Sequence, residues 1–157
     1  MMDKEIFVNL LQDRQFKAVK SILNVMNAVD TASLLSELDD KELALAFRLI
    51  PKEEAAEVFA NMNNTMQSYL VEMFTEKELQ ELLEDLYMDD TVDLLEELPA
   101  NLVIRILDNV SQSKRNMINV LLNYPDDSTG SIMTTEYVGL RQNMTAAEAM
   151  AHIKRTG

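Results

Sequence analysis

The feature that most constrains this chain is an apolar repeat of 12 residues. Stepping by 12 from Ile22 gives Leu34, Ala46, Val58, Leu70, Leu82, Leu94, Ile106 and Ile118, all apolar. The column four residues later, from Met26 through Leu38, Ile50, Met62, Phe74, Leu86, Leu98 and Val110 to Leu122, is again unbroken. A third column adjoining the first runs Leu35, Phe47, Phe59, Val71, Leu83, Leu95 and Leu107 before failing at Asn119. With 47% of residues apolar, two unbroken columns of this length arise by chance on the order of once in a million. The segment Asp30 to Leu38 also resembles Asp90 to Leu98, five periods on. One step further back the pattern finds Leu10 and Leu11 but then meets Arg14.

Apolar positions at i, i+1 and i+4 lie on one helical face. A continuous helix turns about 100° per residue, so 12 residues leave that face roughly 120° out of phase. One long helix is excluded, and the chain must bend once per repeat. Pro51 and Pro99 stand where the bends are needed, and Asp39, Asn63, Thr75 and Ser111 hold the equivalent place in other units. Asp39 with Glu42 and Thr75 with Glu78 read as capping-box helix starts. Each unit is then a helix of about eight or nine residues and a short turn. Helices so short do not survive alone and must stack to bury their stripes. The expectation is an all-α superhelix of about ten short helices.

The pattern changes at Asn123 to Gly130, the densest cluster of turn formers in the chain. Beyond it, Glu136 to Leu140 reads as a short strand, and Thr145 with Glu148 as a capping box opening a last helix. The expected division is residues 1–127 as the superhelix and 128–157 as a linker and the β-α start of a second domain. One strand and one helix cannot close a core, so the chain is expected to stop inside that domain. Its strand edge and the apolar face of Ala147, Met150 and Ile153 favour self-association through residues 131–157. Sedimentation beside a version ending at Asp127 checks this: the shorter chain should run as the smaller species.

Charge narrows the function. The net charge is −13, and all of it lies in the middle of the chain. Residues 37–98 carry 18 acids and four bases, while the segments on either side are close to neutral. Such a field repels nucleic-acid phosphates and anionic lipid, and attracts cations. No apolar run approaches the ~18 residues of a membrane span. Without cysteine there is no disulfide, thiolate metal site or thiol nucleophile. With glycines only at 130, 139 and 157 a glycine-rich phosphate loop cannot form, and no EF-hand spacing occurs. The lone His152 has no second histidine with which to share a metal. No catalytic constellation emerges.

Between Glu76 and Glu97 ten acids face one base, Lys77. In the plainer reading these are a solvated helical face, with Asp90 as an N-cap and Asp93 at N3. In the functional reading, Asp89, Asp90 and Asp93 crowd one helical turn, and a hard dication relieves their repulsion through one or two carboxylates while keeping its waters. Asp126 and Asp127 are most simply turn residues, with a minor chance of joining an interdomain ion site.

The segment Tyr124-Pro-Asp-Asp-Ser-Thr-Gly-Ser-Ile-Met-Thr-Thr-Glu-Tyr-Val138, followed by Asn143-Met-Thr-Ala-Ala-Glu-Ala149, resembles the junction between the N domain and the first CBS domain of MgtE-type magnesium transporters. Upstream, Leu49-Ile-Pro-Lys, Ala55-Ala-Glu-Val58 and the Leu83 to Asp93 segment are similar to that family's N domain. The resemblance covers essentially the whole chain. It implies a right-handed superhelix and places magnesium-contacting acids on Glu57, Asp89, Asp90 and Asp93. It also implies a magnesium-sensing regulatory region on the cytoplasmic side of the cell membrane. Its partners would be its own CBS domains and a transmembrane pore in a homodimer, with magnesium favouring the closed state. The alternative is a protein-interaction solenoid similar to the middle domain of flagellar motor-switch proteins, with no metal role. A junction leading into a CBS strand sets the two apart.

Overall fold

The computed structural model describes residues 4–125, 128–130 and 133–156. Its described residues form eleven helices and no strand: α1 Lys4–Gln12, α2 Phe16–Leu23, α3 Ala28–Leu35, α4 Asp40–Phe47, α5 Lys52–Ala60, α6 Asn64–Met73, α7 Glu76–Asp85, α8 Met88–Glu97, α9 Ala100–Asn109, α10 Gln112–Leu121 and α11 Ala146–Thr156. None is long and apolar enough to cross a membrane.

The repeat is visible in the helix starts. From α2 to α10 the N-caps are Gln15, Asn27, Asp39, Pro51, Asn63, Thr75, Tyr87, Pro99 and Ser111, each 12 residues after the last. At Asn27, Asp39, Asn63, Thr75 and Ser111 the side-chain oxygen accepts from the backbone N–H three residues on, which satisfies one orphan donor of the first turn. Asp39–Glu42 and Thr75–Glu78 are full capping boxes, and Thr145 with Glu148 exchanges the same pair of bonds before α11. The register slips only at the front, where Arg14 closes α1 with φ 56°, the left-handed turn that a helix end takes.

Packing follows the phase argument. Each helix lies against the one two places on: α3 on α5, α5 on α7 and α7 on α9 in one row, α4 on α6, α6 on α8 and α8 on α10 in the other. The first column from Leu34 to Ile118 is buried at every position. The column beginning at Leu38 is buried from Ile50 to Leu98 and opens at the end, where Leu122 is 40% exposed. At the centre, the Phe47 ring meets Phe59 edge-on at 6.2 Å and Phe74 at 5.3 Å. Of the methionines, Met62, Met66 and Met88 fill this core.

Two expectations are corrected. Glu136 to Leu140 forms no strand, because a strand exists only through ladder bonds to a neighbour, and no strand is present among the described residues. Asp90 is not an N-cap. Helix α8 starts at Met88 with Tyr87 in the cap position, which leaves Asp90 at N3, inside the first turn. The packing register overrides the preference of aspartate for caps.

The junction is tightened by a close approach. A Cβ built on Gly130 would stand 2.6 Å from Tyr124 Cγ, so the turn closes only with glycine under that ring. Helix α11 buries none of its residues; Met150 is 54% exposed and Tyr137, before it, 80%.

Candidate cation-binding face on α5 and α8

The basic side chains of the superhelix are used on helix ends. Arg48 donates through Nε to Glu78 at 2.7 Å and through Nη2 to the Met73 carbonyl. Arg105 donates to the carbonyls of Val71 and Phe74 at the end of α6 and pairs with Glu76 at 3.0 Å. Lys114, half-buried, donates to the Leu83 and Leu86 carbonyls at the end of α7. Burial pushes its ammonium below the usual lysine range, against the pull of Glu136, Asp85 and Glu84. These contacts satisfy carbonyls that a helix end leaves open.

The acids therefore divide into two groups. Glu76, Glu78 and Glu81 at the front of α7 are paired with Arg105, Arg48 and the lysines Lys52 and Lys77. Among the described residues no basic side chain comes within 4.0 Å of Asp85, Asp89, Asp90, Asp93, Glu96 or Glu97. The charge left uncompensated is concentrated on α8.

The Arg48 bond, opposed by burial and aided by Thr75, holds the Glu78 carboxyl at about 2, below its unfolded value of 4.5. Its contribution is present above the unfolded value and is lost as pH falls from about 4.5 toward 2. Because both side chains are more than a third exposed, it amounts to less than about 1 kcal/mol. Glu78→Gln should flatten stability over that acid range while changing it little at neutral pH, as a urea-denaturation series will report.

Asp90 is central to the unpaired group. It is half-buried and lines two adjoining grooves. In one of about 470 Å³ it meets Glu57 and Glu53 of α5, with Asn61, Asp85 and Tyr87. In the other it meets Asp93 and Glu97 of its own helix, with Gln67 and Asn64 of α6. Gln67 is buried, its amide donating to the Phe59 carbonyl at 2.9 Å. Burial, and after it Asp89, Asp93 and Glu136, raise the Asp90 carboxyl above the usual aspartate range.

Asp89 lines neither groove, and its Oδ1 is buried without a hydrogen-bond partner. Glu57 and Asp93 are exposed. The structure thus brings Glu57 and Asp90 into one groove and Asp90 and Asp93 into the next, while Asp89 adds charge from behind. Among the described residues no three acidic or histidine side chains converge as a metal cage. That suits a hydrated hard cation held by one or two carboxylates, and not a dehydrated ion in a closed site. Asp126 and Asp127 lie outside the described residues. His152 contacts Arg155 on α11, far along the chain from these grooves.

Two residues escaped the sequence reading. Glu53 faces the Glu57 groove one turn earlier on α5, and the i, i+4 spacing of the two glutamates was a signal for it. Glu136 reaches α8 from 48 residues away, accepting the Met88 N–H at 3.2 Å, and no local pattern announces that.

Comparison with known proteins agrees with this architecture. Residues 26–127 match the family model of the MgtE intracellular N domain. The chain is 30% identical over 161 aligned positions to the magnesium transporter MgtE of Thermus thermophilus, covering 98% of this chain and 36% of that protein. It is 23% identical to the magnesium transporter MgtE of Bacillus subtilis, over 92% of this chain and 32% of that protein. The chain therefore spans about a third of the length of the curated relatives it matches. Among solved structures, the soluble part of a magnesium transporter superposes with a TM-score of 0.84 at 23% identity, over 98% of this chain and 60% of that one, a likeness of fold. The cytosolic domain of the Mg2+ channel MgtE in complex with ATP superposes with 0.83 at 28% identity, over 98% and 63%.

Proposed function

This chain belongs to the MgtE family, whose intracellular N domain it carries, and we propose that it is the magnesium-sensing regulatory region of a magnesium transporter or channel. The observation that carries the reading is the unpaired charge of α8. The bases nearby are engaged on helix ends, so Asp90 is left ionised at a cost between Asp89, Asp93 and Glu136. Glu57, Asp89, Asp90 and Asp93 would hold magnesium, which suits their hard oxygen donors and the open, wet grooves. Water screens exposed carboxylates, so affinity is weak, as sensing of an abundant ion requires.

In this reading residues 1–127 are the N domain, and 128–157 are the linker and the start of a CBS domain. The complete protein is a homodimer in the cell membrane with this region on the cytoplasmic side. Bare acidic surfaces on the N and CBS domains repel and leave the pore free to open. Magnesium bridging them favours a compact assembly and the closed state, a population shift driven by higher ion affinity in that state. The chain itself performs no catalysis in this scheme; the chemistry is ion recognition.

Magnesium titration of a protein extended through both CBS domains, followed by small-angle scattering, tests the reading. The radius of gyration should fall as magnesium rises, and an unchanged radius would sink it.

A further inference from the structure

Helix α8 is the one helix of the α3–α10 run whose cap residue is neither a side-chain acceptor nor proline: Tyr87 offers nothing to the first-turn amides. The missing acceptor comes from the linker. Glu136 Oε1 accepts from Met88 N–H at 3.2 Å, and Oε2 is held by the hydroxyls of Thr135 at 3.2 Å and Thr134 at 3.3 Å. The Glu136 N–H donates back to Thr134 Oγ1, so the carboxylate is oriented before it meets the helix. Three residues earlier Met133 packs, partly buried, on the superhelix core. Residues 133–136 are thus a strap fixed at two points.

The α7–α8 turn is held from both sides. Lys114 from α10 puts its positive charge on the C-terminal carbonyls of α7, and Glu136 puts a negative charge on the N-terminus of α8, each matching the helix dipole it meets. Against Glu136 stand Asp89 and Asp90, in the same first turn and with no base within 4.0 Å. Glu136 is itself exposed, so its bond to Met88 is a modest one that neighbouring charge is able to shift.

We infer that the 133–136 strap reports the charge state of α8: neutralising Asp89 and Asp90 tightens the Glu136–Met88 bond, and bare carboxylates loosen it. With magnesium as the neutralising ion, a step that rests on the function proposed above, the strap carries occupancy of the acidic face to the segment that follows residue 136. Linkage makes this reciprocal, since a docked Glu136 adds a carboxylate beside the site and raises its cation affinity.

Amide hydrogen exchange at Met88, measured by NMR on this chain, tests the coupling. Glu136→Ala should speed that exchange about tenfold or more by removing the acceptor. Asp90→Asn without magnesium should slow it roughly two- to fivefold, as should magnesium on the wild type. Glu136→Gln keeps an acceptor but no charge, and in it neither change should register. If Glu136→Ala leaves Met88 exchange unaltered, or if Asp90→Asn and magnesium both leave it unaltered, the strap is no reporter and the inference is overturned. Slowing by Asp90→Asn with no response to magnesium upholds the coupling and counts against magnesium as the ion. Magnesium shifts on other α8 amides, with Met88 insensitive to both treatments, do the reverse.

Discussion

Replacing Phe59 by alanine is expected to cost about 3–5 kcal/mol of unfolding free energy. Its side chain is fully buried, and its ring is the edge of a cluster with Phe47, which in turn contacts Phe74. These three rings come from α4, α5 and the end of α6, so one truncation opens a void between the two rows of helices. Neighbours relax only partly into such a void, and the cavity adds to the lost transfer energy. A domain of this size has perhaps 5–15 kcal/mol in total, so the urea midpoint should fall by a large fraction. Leu94→Ala, in the next groove, should cost about 2–5 kcal/mol for the same reason. Met73→Ala, at a site 47% exposed, should stay within about 0.5 kcal/mol. A Phe59 variant as stable as the wild type would mean that the repeat does not bury its third column.

Changing Asp89, Asp90 and Asp93 together to asparagine should move stability and ion binding in opposite directions. The Asp90 carboxyl lies above its unfolded value of 3.8 because burial and then Asp89, Asp93 and Glu136 oppose its charge. A group raised in the folded state works against folding once ionised. Stability is then lost as pH rises through the raised value, and recovered as pH falls toward 3.8. The triple variant lacks that penalty and should be as stable as the wild type or more so near neutral pH, with a flatter profile between about pH 4 and 7. Magnesium affinity, followed by calorimetry, should fall about tenfold or more, because two or three carboxylates leave the grooves. In the full-length transporter, closure should need more magnesium. Undiminished affinity in a folded triple variant would place the ion elsewhere.

Helix number, boundaries and core were legible because they rest on local chemistry. A side chain three residues from its amide makes a cap whatever the rest of the chain does, so Asp39, Thr75 and Thr145 could be read directly. The 12-residue period likewise compelled a bend per unit, since helical phase is a property of the backbone. Family resemblance rested on the junction residues, and the match over residues 26–127 agrees with it. Even the start of α8 was present in the repeat, 12 residues after Thr75, but aspartate's preference for caps hid it.

What only the tertiary structure decided is where charge remains uncompensated. Acids at the front of α7 and on α8 look alike in sequence, yet Glu76 and Glu78 meet arginines that lie about 30 positions away. Asp90 meets α5 and α6 across two grooves and Glu136 at its helix start, and no base reaches it. The segment 136–140 matched a strand in its pattern but formed none, because ladder bonds need a second segment to receive them. Periodicity acts between neighbours along the chain and can be read there. Electrostatic balance and strand pairing act between segments brought together by folding, and their outcome depends on which partner arrives.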